Sequence, residues 1–108
     1  MLNTDSNVDT VFENGVLTAY VRGEIDHHNA KNARRRIDRE LEGNRPAELV
    51  LDLSGVSFMD SSGLGLILGR YTKAKELGVN FSVQNPTPAT MKIISLAGGE
   101  RMINIKRD

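Results

Sequence analysis

The chain is most informative over residues 58–65, which read Phe58-Met59-Asp60-Ser61-Ser62-Gly63-Leu64-Gly65. Before them, the apolar run at residues 49–53, Leu-Val-Leu-Asp-Leu, is typical of a central strand covered on both faces. After a loop, a helix that Gly78 ends is predicted, because apolar residues recur at helical spacing. Those apolar positions are Leu64, Ile67, Leu68, Tyr71 and Ala74. Residues 58–65 therefore join a predicted central strand to the helix that follows it.

The polar residues of this junction have a specific chemistry. Asp60, Ser61 and Ser62 are all good N-cap residues, so one can cap the helix while another keeps an exposed hydroxyl. A helix N-terminus favours anions, which makes this a suitable place for a phosphoserine. Gly63 and Gly65 each cost about 1 kcal/mol in helix propensity, which either close packing on the sheet or a second surface approaching the backbone would explain. A plain cap with close packing is the alternative to a functional site.

The N-terminal half predicts a hairpin followed by a helix. Asn14-Gly15 accepts positive φ angles and separates two strand-like runs, 8–13 and 16–22, as in a tight hairpin. Asp26 or Asn29 is the candidate cap of the next element, a helix. Its apolar stripe consists of Ala30, Ala33, Ile37 and Leu41.

The C-terminal half continues the alternation of strands and helices. Residues 81–84 predict a strand, Thr87-Pro88 starts a helix that closes at Gly98-Gly99, and residues 102–105 predict the last strand. The whole pattern is that of an α/β fold, an N-terminal β-hairpin followed by alternating helices and strands. We expect a mixed sheet whose later strands are parallel, with helices packed on it. No linker or repeat divides the chain, which predicts a single domain over residues 1–108.

Composition excludes several classes of protein. The 108 residues include 14 Lys and Arg, 14 Asp and Glu, and no cysteine. A chain without surplus positive charge is not expected to bind nucleic acid, and one without cysteine has no disulfide, thiolate nucleophile or thiolate zinc site. No segment reaches the roughly 18–20 apolar residues of a membrane span, and residues 1–5 have no leader character. We therefore expect a cytoplasmic protein with no nucleic-acid partner and no membrane span.

Two interpretations of the glycines and aspartates fit the residues poorly. Gly63, Gly65 and Gly69 have the spacing G-x-G-x-x-x-G, and the predicted strand ends about nine residues before them, unlike a dinucleotide fingerprint. A receiver domain phosphorylated on Asp52 or Asp60 needs an acidic pair after its first strand to hold magnesium. The loop of the predicted hairpin supplies no such pair.

A small nucleotide-binding or hydrolytic domain, using Ser61 with His27 or His28, stays open as an alternative. The G-x-S-x-G motif of a nucleophile elbow is absent. In a parallel α/β topology, however, the histidines and the serine would reach the same edge of the sheet. The histidine pair does not predict a metal site, because adjacent residues point apart and no third ligand is evident.

Two further clusters have more than one interpretation. The run Arg34-Arg35-Arg36 would suit an acidic partner, but Arg34 faces Asp38 and Arg36 faces Glu40 at i,i+4 spacing. That spacing favours a solvated helix face on which the arginines are paired.

Phe58 and Met59 precede the two serines directly. One of them is expected in the core and the other at the surface as an apolar anchor. The sequence does not decide which.

Two segments resemble a known family. Residues 58–71, Phe-Met-Asp-Ser-Ser-Gly-Leu-Gly-Leu-Ile-Leu-Gly-Arg-Tyr, closely resemble the phosphorylation-loop signature of the STAS-domain anti-sigma-factor antagonists. Residues 23–28, Gly-Glu-Ile-Asp-His-His, resemble an earlier motif of that family, and the tandem histidine is most similar to its sporulation members. The resemblance implies the STAS fold. Members commonly continue into another helix after the last strand, whereas this sequence stops at Asp108.

The resemblance implies a partner-switching regulator rather than an enzyme. In that family the unphosphorylated antagonist binds an anti-sigma factor that is also a serine kinase, and so releases the sigma factor. The kinase uses ATP to phosphorylate the serine that matches Ser61, the phosphorylated form dissociates, and a serine phosphatase of the metal-dependent type restores it. No cofactor or metal of the chain's own is implied, and we expect a monomer. The expected partner-binding residues are Asp26, Met59, Asp60, Ser61, Ser62, Gly63 and Gly65.

Overall fold

A computed structural model describes residues 7–108, so residues 1–5, from which the absence of a leader was inferred, lie outside the described residues. The strands are β1 (Val8–Glu13), β2 (Val16–Ile25), β3 (Glu48–Met59), β4 (Asn80–Gln84) and β5 (Asn104–Lys106). The helices are α1 (His27–Asn44), α2 (Ser61–Glu76) and α3 (Pro88–Leu96), and a 3-10 turn spans Gly99–Arg101. No helix within the described range has the length and apolar character needed to cross a membrane.

The five strands form one sheet in the order β1-β2-β3-β4-β5. β1 is antiparallel to β2, and every later neighbouring pair is parallel, which confirms the predicted mixed α/β sheet with β3 at its centre. The hairpin turn is the predicted one, since Asn14 and Gly15 both have positive φ angles, 51° and 78°.

The core lies between one face of the sheet and the helices. Leu17 is the register partner of Leu49, and Ala19 is that of Leu51, which is in turn the partner of Val83. All of these side chains are fully buried and share that face. Helix α1 covers them with the predicted stripe of Ala30, Ala33, Ile37 and Leu41.

Helix α2 buries a different face from the predicted one. Of the predicted stripe, only Ile67 and Ala74 are buried, and Leu64, Leu68 and Tyr71 are half-buried. The other buried members of α2 are Gly63, Leu66 and Arg70. Arg70 lies on this buried face and forms an ion pair with Asp38 of α1, while Leu68 and Tyr71 pack at the edge of the core.

Strand β3 is much longer than predicted. The expected loop after Leu53 is absent, because the strand continues to Met59 while Val56 and Met59 stay buried and pair with Gly23 and Ile25 of β2. The strand thus ends four residues before Gly63, which removes one of the two arguments against a dinucleotide fingerprint and leaves the glycine spacing. At the other end of the chain, β5 starts at Asn104, two residues later than predicted.

Candidate functional site

The carboxyl ends of β2 and β3 lie side by side. Ile25 and Met59 are the last residues of these strands and are partners in register, and the backbone N–H of Asp60 donates to the carbonyl of Ile25 at 3.4 Å. Asp26 and Asp60 follow the two strands directly and start α1 and α2. The residues of both recognised motifs therefore meet at this edge of the sheet, which we call the switch edge, residues 25–28 and 59–62.

Both aspartates of the switch edge cap helices. The Asp26 carboxylate accepts a hydrogen bond from the backbone N–H of Asn29 at 2.9 Å, so Asp26 rather than Asn29 is the cap of α1. The Asp60 carboxylate accepts from the N–H of Ser62 at 2.8 Å and caps α2. The caps fix where each helix begins and place Ser61 as the first residue of α2.

The two serines keep their hydroxyls available. Ser61 is exposed and Ser62 is half-buried, and within residues 7–108 neither hydroxyl takes part in a hydrogen bond. Because Asp60 supplies the cap, neither hydroxyl is needed to start the helix. The Ser61 hydroxyl is therefore accessible to an enzyme acting on it from solvent.

The N-terminus of α2 is less receptive to an anion than the sequence predicts. The N–H of Ser62 donates to the Asp60 carboxylate, and those of Gly63 and Leu64 donate to the Asp60 carbonyl at 3.0 and 3.3 Å. A carboxylate already occupies the position that an anion would take. A phosphate on Ser61 is thus not drawn onto these amides, contrary to the expectation from the helix dipole alone.

Met59 and Gly63 are buried in the core, and their role as partner contacts stays a prediction. Met59 is 6% exposed, and a Cβ added to Gly63 would lie 2.0 Å from the Met59 Cγ. Gly63 is a glycine because α2 packs closely on this side chain. Phe58, whose side chain points to the opposite face of β3, is 52% exposed and is the surface member of the pair.

A groove of about 360 Å³ adjoins the switch edge, between α1 and α2. It is lined by His27, Ala30, Lys31, Arg34, Ser62, Gly65 and Leu66. A Cβ on Gly65 would meet no atom of residues 7–108 within 4 Å, so packing within the described fold does not explain this glycine. The groove was not predicted from the sequence, although His27, Lys31 and Arg34 have the i, i+4, i+7 spacing of one helix face.

The arginine run is not paired as predicted. Asp38 lies 3.1 Å from the Nε of Arg70 instead of pairing with Arg34, and Arg36 donates to the Thr10 hydroxyl at 3.4 Å. Asp38 is on the same helix as Arg34 but pairs with Arg70, because a buried guanidinium without a counter-ion costs more free energy than an exposed one.

In the part of the chain that the structure describes, the histidines lie apart from other metal-ligating side chains and make no hydrogen bond to the serines. Both are exposed, and His27 is the first residue of α1. Among residues 7–108 no group of three His, Cys, Asp or Glu side chains is placed to hold a metal, and no hydrogen bond links a histidine to Ser61 or Ser62.

Comparison with known proteins gives consistent matches. The STAS domain family matches residues 7–108. An anti-sigma F factor antagonist from Paenibacillus polymyxa is 36% identical over 84 residues, which cover 78% of this chain and 72% of the relative. A solved anti-sigma factor antagonist from Mycobacterium paratuberculosis is 30% identical, with a TM-score of 0.84 over 98% of this chain and 90% of that one.

One further neighbour has been solved in two states. SpoIIAA superposes with TM-scores of 0.78 in its unphosphorylated form and 0.73 in its phosphorylated form, at 24% identity. The aligned part is 91% of this chain in both cases, and 86% and 89% of the two neighbours. This likeness shows a shared fold. The relatives are named as antagonists, which are regulatory binding proteins and not enzymes, so the hydrolytic interpretation has no support.

Proposed function

Because the chain belongs to the STAS domain family, we propose that it is an anti-sigma-factor antagonist of the sporulation type. In its unphosphorylated form it binds an anti-sigma factor that is also a serine kinase, and so releases the sigma factor. Support comes from the relative named as an anti-sigma F factor antagonist, which shares 36% of the aligned residues. The partner surface includes the switch edge, with Asp26, Asp60, Ser61 and Ser62, and the neighbouring Gly65.

The observation that carries this proposal is the exposed, unbonded hydroxyl of Ser61 at the start of α2. The kinase transfers the γ-phosphoryl group of ATP to the Ser61 Oγ, with ADP as the leaving group and the hydroxyl proton taken up on the kinase. Catalysis and ATP thus belong to the partner, and the chain needs no cofactor. A serine phosphatase of the metal-dependent type reverses the step.

The added phosphate opposes binding through charge and bulk. It brings about −1.5 to −2 charge units next to the carboxylates of Asp26 and Asp60, which already use the nearby helix amides. The phosphate therefore faces the partner and has to be desolvated in the complex. A loss of about 3 kcal/mol weakens binding roughly 150-fold, which is enough for a switch.

The switch requires no refolding of the chain. Ser61 is on the surface, and its hydroxyl takes part in no hydrogen bond of the described fold that phosphorylation would break. The chain is proposed to act as a monomer in the cytoplasm, with the kinase and the phosphatase as its partners and without nucleic acid.

Intact mass of the purified chain, measured with and without the cognate kinase and ATP, tests the assignment. We expect one added phosphoryl group on the wild type and on Ser62→Ala, and none on Ser61→Ala. Ser61→Ala should bind the kinase like the wild type, while Ser61→Asp should bind it much more weakly. Phosphorylation of Ser61→Ala at the wild-type rate, or its loss only in Ser62→Ala, would show that the acceptor is another residue. Release of phosphate or an acyl product by the chain alone would favour an enzyme.

A further inference from the structure

The groove between α1 and α2 carries a row of basic side chains along one wall. His27, Lys31 and Arg34 are four and three residues apart, so they lie on one face of α1 and span about 10 Å along its axis. Among the residues that the structure describes, none of the three forms an ion pair. The opposite wall, formed by α2, contributes Ser62, Gly65 and Leu66 and no charge.

The positive charge of this wall is not neutralised from within the described fold. Asp38 is the acidic residue one turn beyond Arg34, but its carboxylate is committed to Arg70, whose side chain is 7% exposed. Burial holds the pKa of Arg70 below its usual range; Asp38 opposes that effect, and the nearby Arg34 adds to it. Arg34 is therefore exposed and has no carboxylate partner among the described residues.

The shape of the groove suits a protein segment. Its floor is apolar, formed by Ala30 and Leu66, which are 8% and 5% exposed. Gly65 adds no side chain to the α2 wall, and a Cβ at this position would meet no described atom within 4 Å. Glycine is among the least favourable residues inside a helix, and a surface that approaches α2 from outside would account for its presence here.

We propose that this groove is a docking site for an acidic segment of the partner protein, with carboxylates spaced to meet Lys31 and Arg34 and an apolar side chain between them. The inference rests on the proposed function for the identity of the partner, and it extends the contact surface beyond the switch edge. A small anion fits less well, because the amides at the start of α1 and α2 are used by Asp26 and Asp60. It would also reach only part of a row that is about 10 Å long.

Charge reversal with a matched control tests the docking site. Lys31→Glu/Arg34→Glu reverses two cations of the groove, while Arg35→Glu/Arg39→Glu reverses two cations of α1 outside it. Both are made in the Ser61→Ala chain, so that phosphorylation cannot intervene, and binding to the cognate anti-sigma factor is measured over a range of salt. We expect the groove variant to bind at least about tenfold more weakly, with a flatter salt dependence, and the control to bind within about twofold of its parent. Equal affinities for the two variants would overturn the proposal.

A peptide titration decides the question without the partner. The probes are an acetylated peptide of alternating glutamate and leucine, the same peptide with glutamine for glutamate, and inorganic phosphate. We expect the acidic peptide alone to shift the backbone amides of residues 30–34 and 62–66 in NMR spectra, and to do so in Gly69→Leu but not in Gly65→Leu. Shifts produced by phosphate but not by the acidic peptide, or by both peptides equally, would refute the acidic docking site. If the wild type binds no anti-sigma factor, the proposed function fails, and this titration still tests the groove.

Discussion

Gly63 and Gly65 lie two residues apart in the first turns of α2, but their surroundings differ. A Cβ on Gly63 would lie 2.0 Å from the Met59 Cγ and 3.2 Å from the Ile25 Cγ2, whereas a Cβ on Gly65 would meet open space. The first glycine is fixed by packing inside the chain. Gly65 is under no such constraint, and no contact within the described fold offsets its cost in helix propensity.

Alanine at the two positions should therefore act in opposite directions. We expect Gly63→Ala to lower the free energy of unfolding by about 1–3 kcal/mol, because the Met59 side chain has to leave its position against Ile25. Gly65→Ala should raise it by up to about 1 kcal/mol through helix propensity. Urea unfolding measures both. Met59→Ala should relieve part of the Gly63→Ala loss in the double variant, and equal effects of the two alanines would contradict this explanation of the two glycines.

At the level of elements, a buried ion pair joins α1 to α2. The Nε of Arg70 lies 3.1 Å from the Asp38 carboxylate, with side-chain exposures of 7% and 19%. Such a pair adds little net stability compared with apolar residues, but removing one partner leaves the other buried without a counter-ion. The pair also joins the two helices that form the walls of the groove.

A double-mutant cycle on Asp38 and Arg70 measures this coupling. We expect Asp38→Leu to cost about 3–5 kcal/mol of unfolding free energy, since it strands a buried guanidinium. Arg70→Met should cost less, because Asp38 is partly open to water, and the double variant should be more stable than Asp38→Leu alone. Glu42→Gln, which breaks an exposed pair with Lys73 across the same helices, is the control and should change little. Costs that simply add would exclude a coupled pair.

Some features of these elements can be predicted from the sequence, and others cannot. Turns and caps such as Asn14-Gly15 and Thr87 depend on local chemistry, and the structure has them where the sequence predicts, while Asp60 is the one of three candidate caps that starts α2. The end of β3 was missed because Ser54, Gly55 and Ser57 interrupt the apolar pattern, and the strand conformation there depends on pairing with β2.

In the candidate site too, some features follow from the local sequence and others depend on tertiary contacts. The position of Ser61 at the start of α2 follows from a local motif, and its neighbourhood with Asp26 follows from parallel topology. Two other features depend on tertiary contacts. The buried face of α2 is one, because an arginine enters the core only with a carboxylate from another helix. The groove is the other, because Arg34 becomes available only once Asp38 has paired with Arg70.

At the scale of the whole molecule, polar contacts tie the parallel strands together on the face of the sheet away from the core. Glu48 of β3 accepts hydrogen bonds from Ser82 of β4 at 3.0 Å and from Lys106 of β5 at 2.6 Å. The Lys106 hydrogen bond lowers the pKa of Glu48, against the opposing effect of burial and with help from Ser82. The C-terminal strand is thus held partly by an ionised carboxylate.

Asp52 holds the centre of the same face. Burial by itself raises the pKa of its carboxyl, but the hydrogen bonds from Ser54 at 2.6 and 3.0 Å, from Gln84 at 2.9 Å and from Asn85 at 3.5 Å outweigh burial, so the pKa lies below its ordinary value. A carboxyl with a lowered pKa in the folded state takes up its proton more readily in the unfolded chain. Its stabilisation is therefore complete above the ordinary carboxyl pKa of about 4 and is lost as the pH falls through the lower folded value.

The stability of the whole fold should accordingly fall on acidification below about pH 4, with Asp52 as a main contributor. We expect Asp52→Asn to lose about 1–3 kcal/mol of unfolding free energy near neutral pH, because an amide offers one acceptor oxygen to donors that now share two. The difference in unfolding free energy from the wild type should narrow as the pH falls below about 4, because the unfolded chain takes up the Asp52 proton before the folded chain does. Urea unfolding at a series of pH values measures this difference, and Thr72→Ala, an exposed and non-titrating change on α2, should keep a constant offset. If the difference in unfolding free energy between Asp52→Asn and the wild type stays constant down to about pH 3, the charge of Asp52 does not stabilise the sheet.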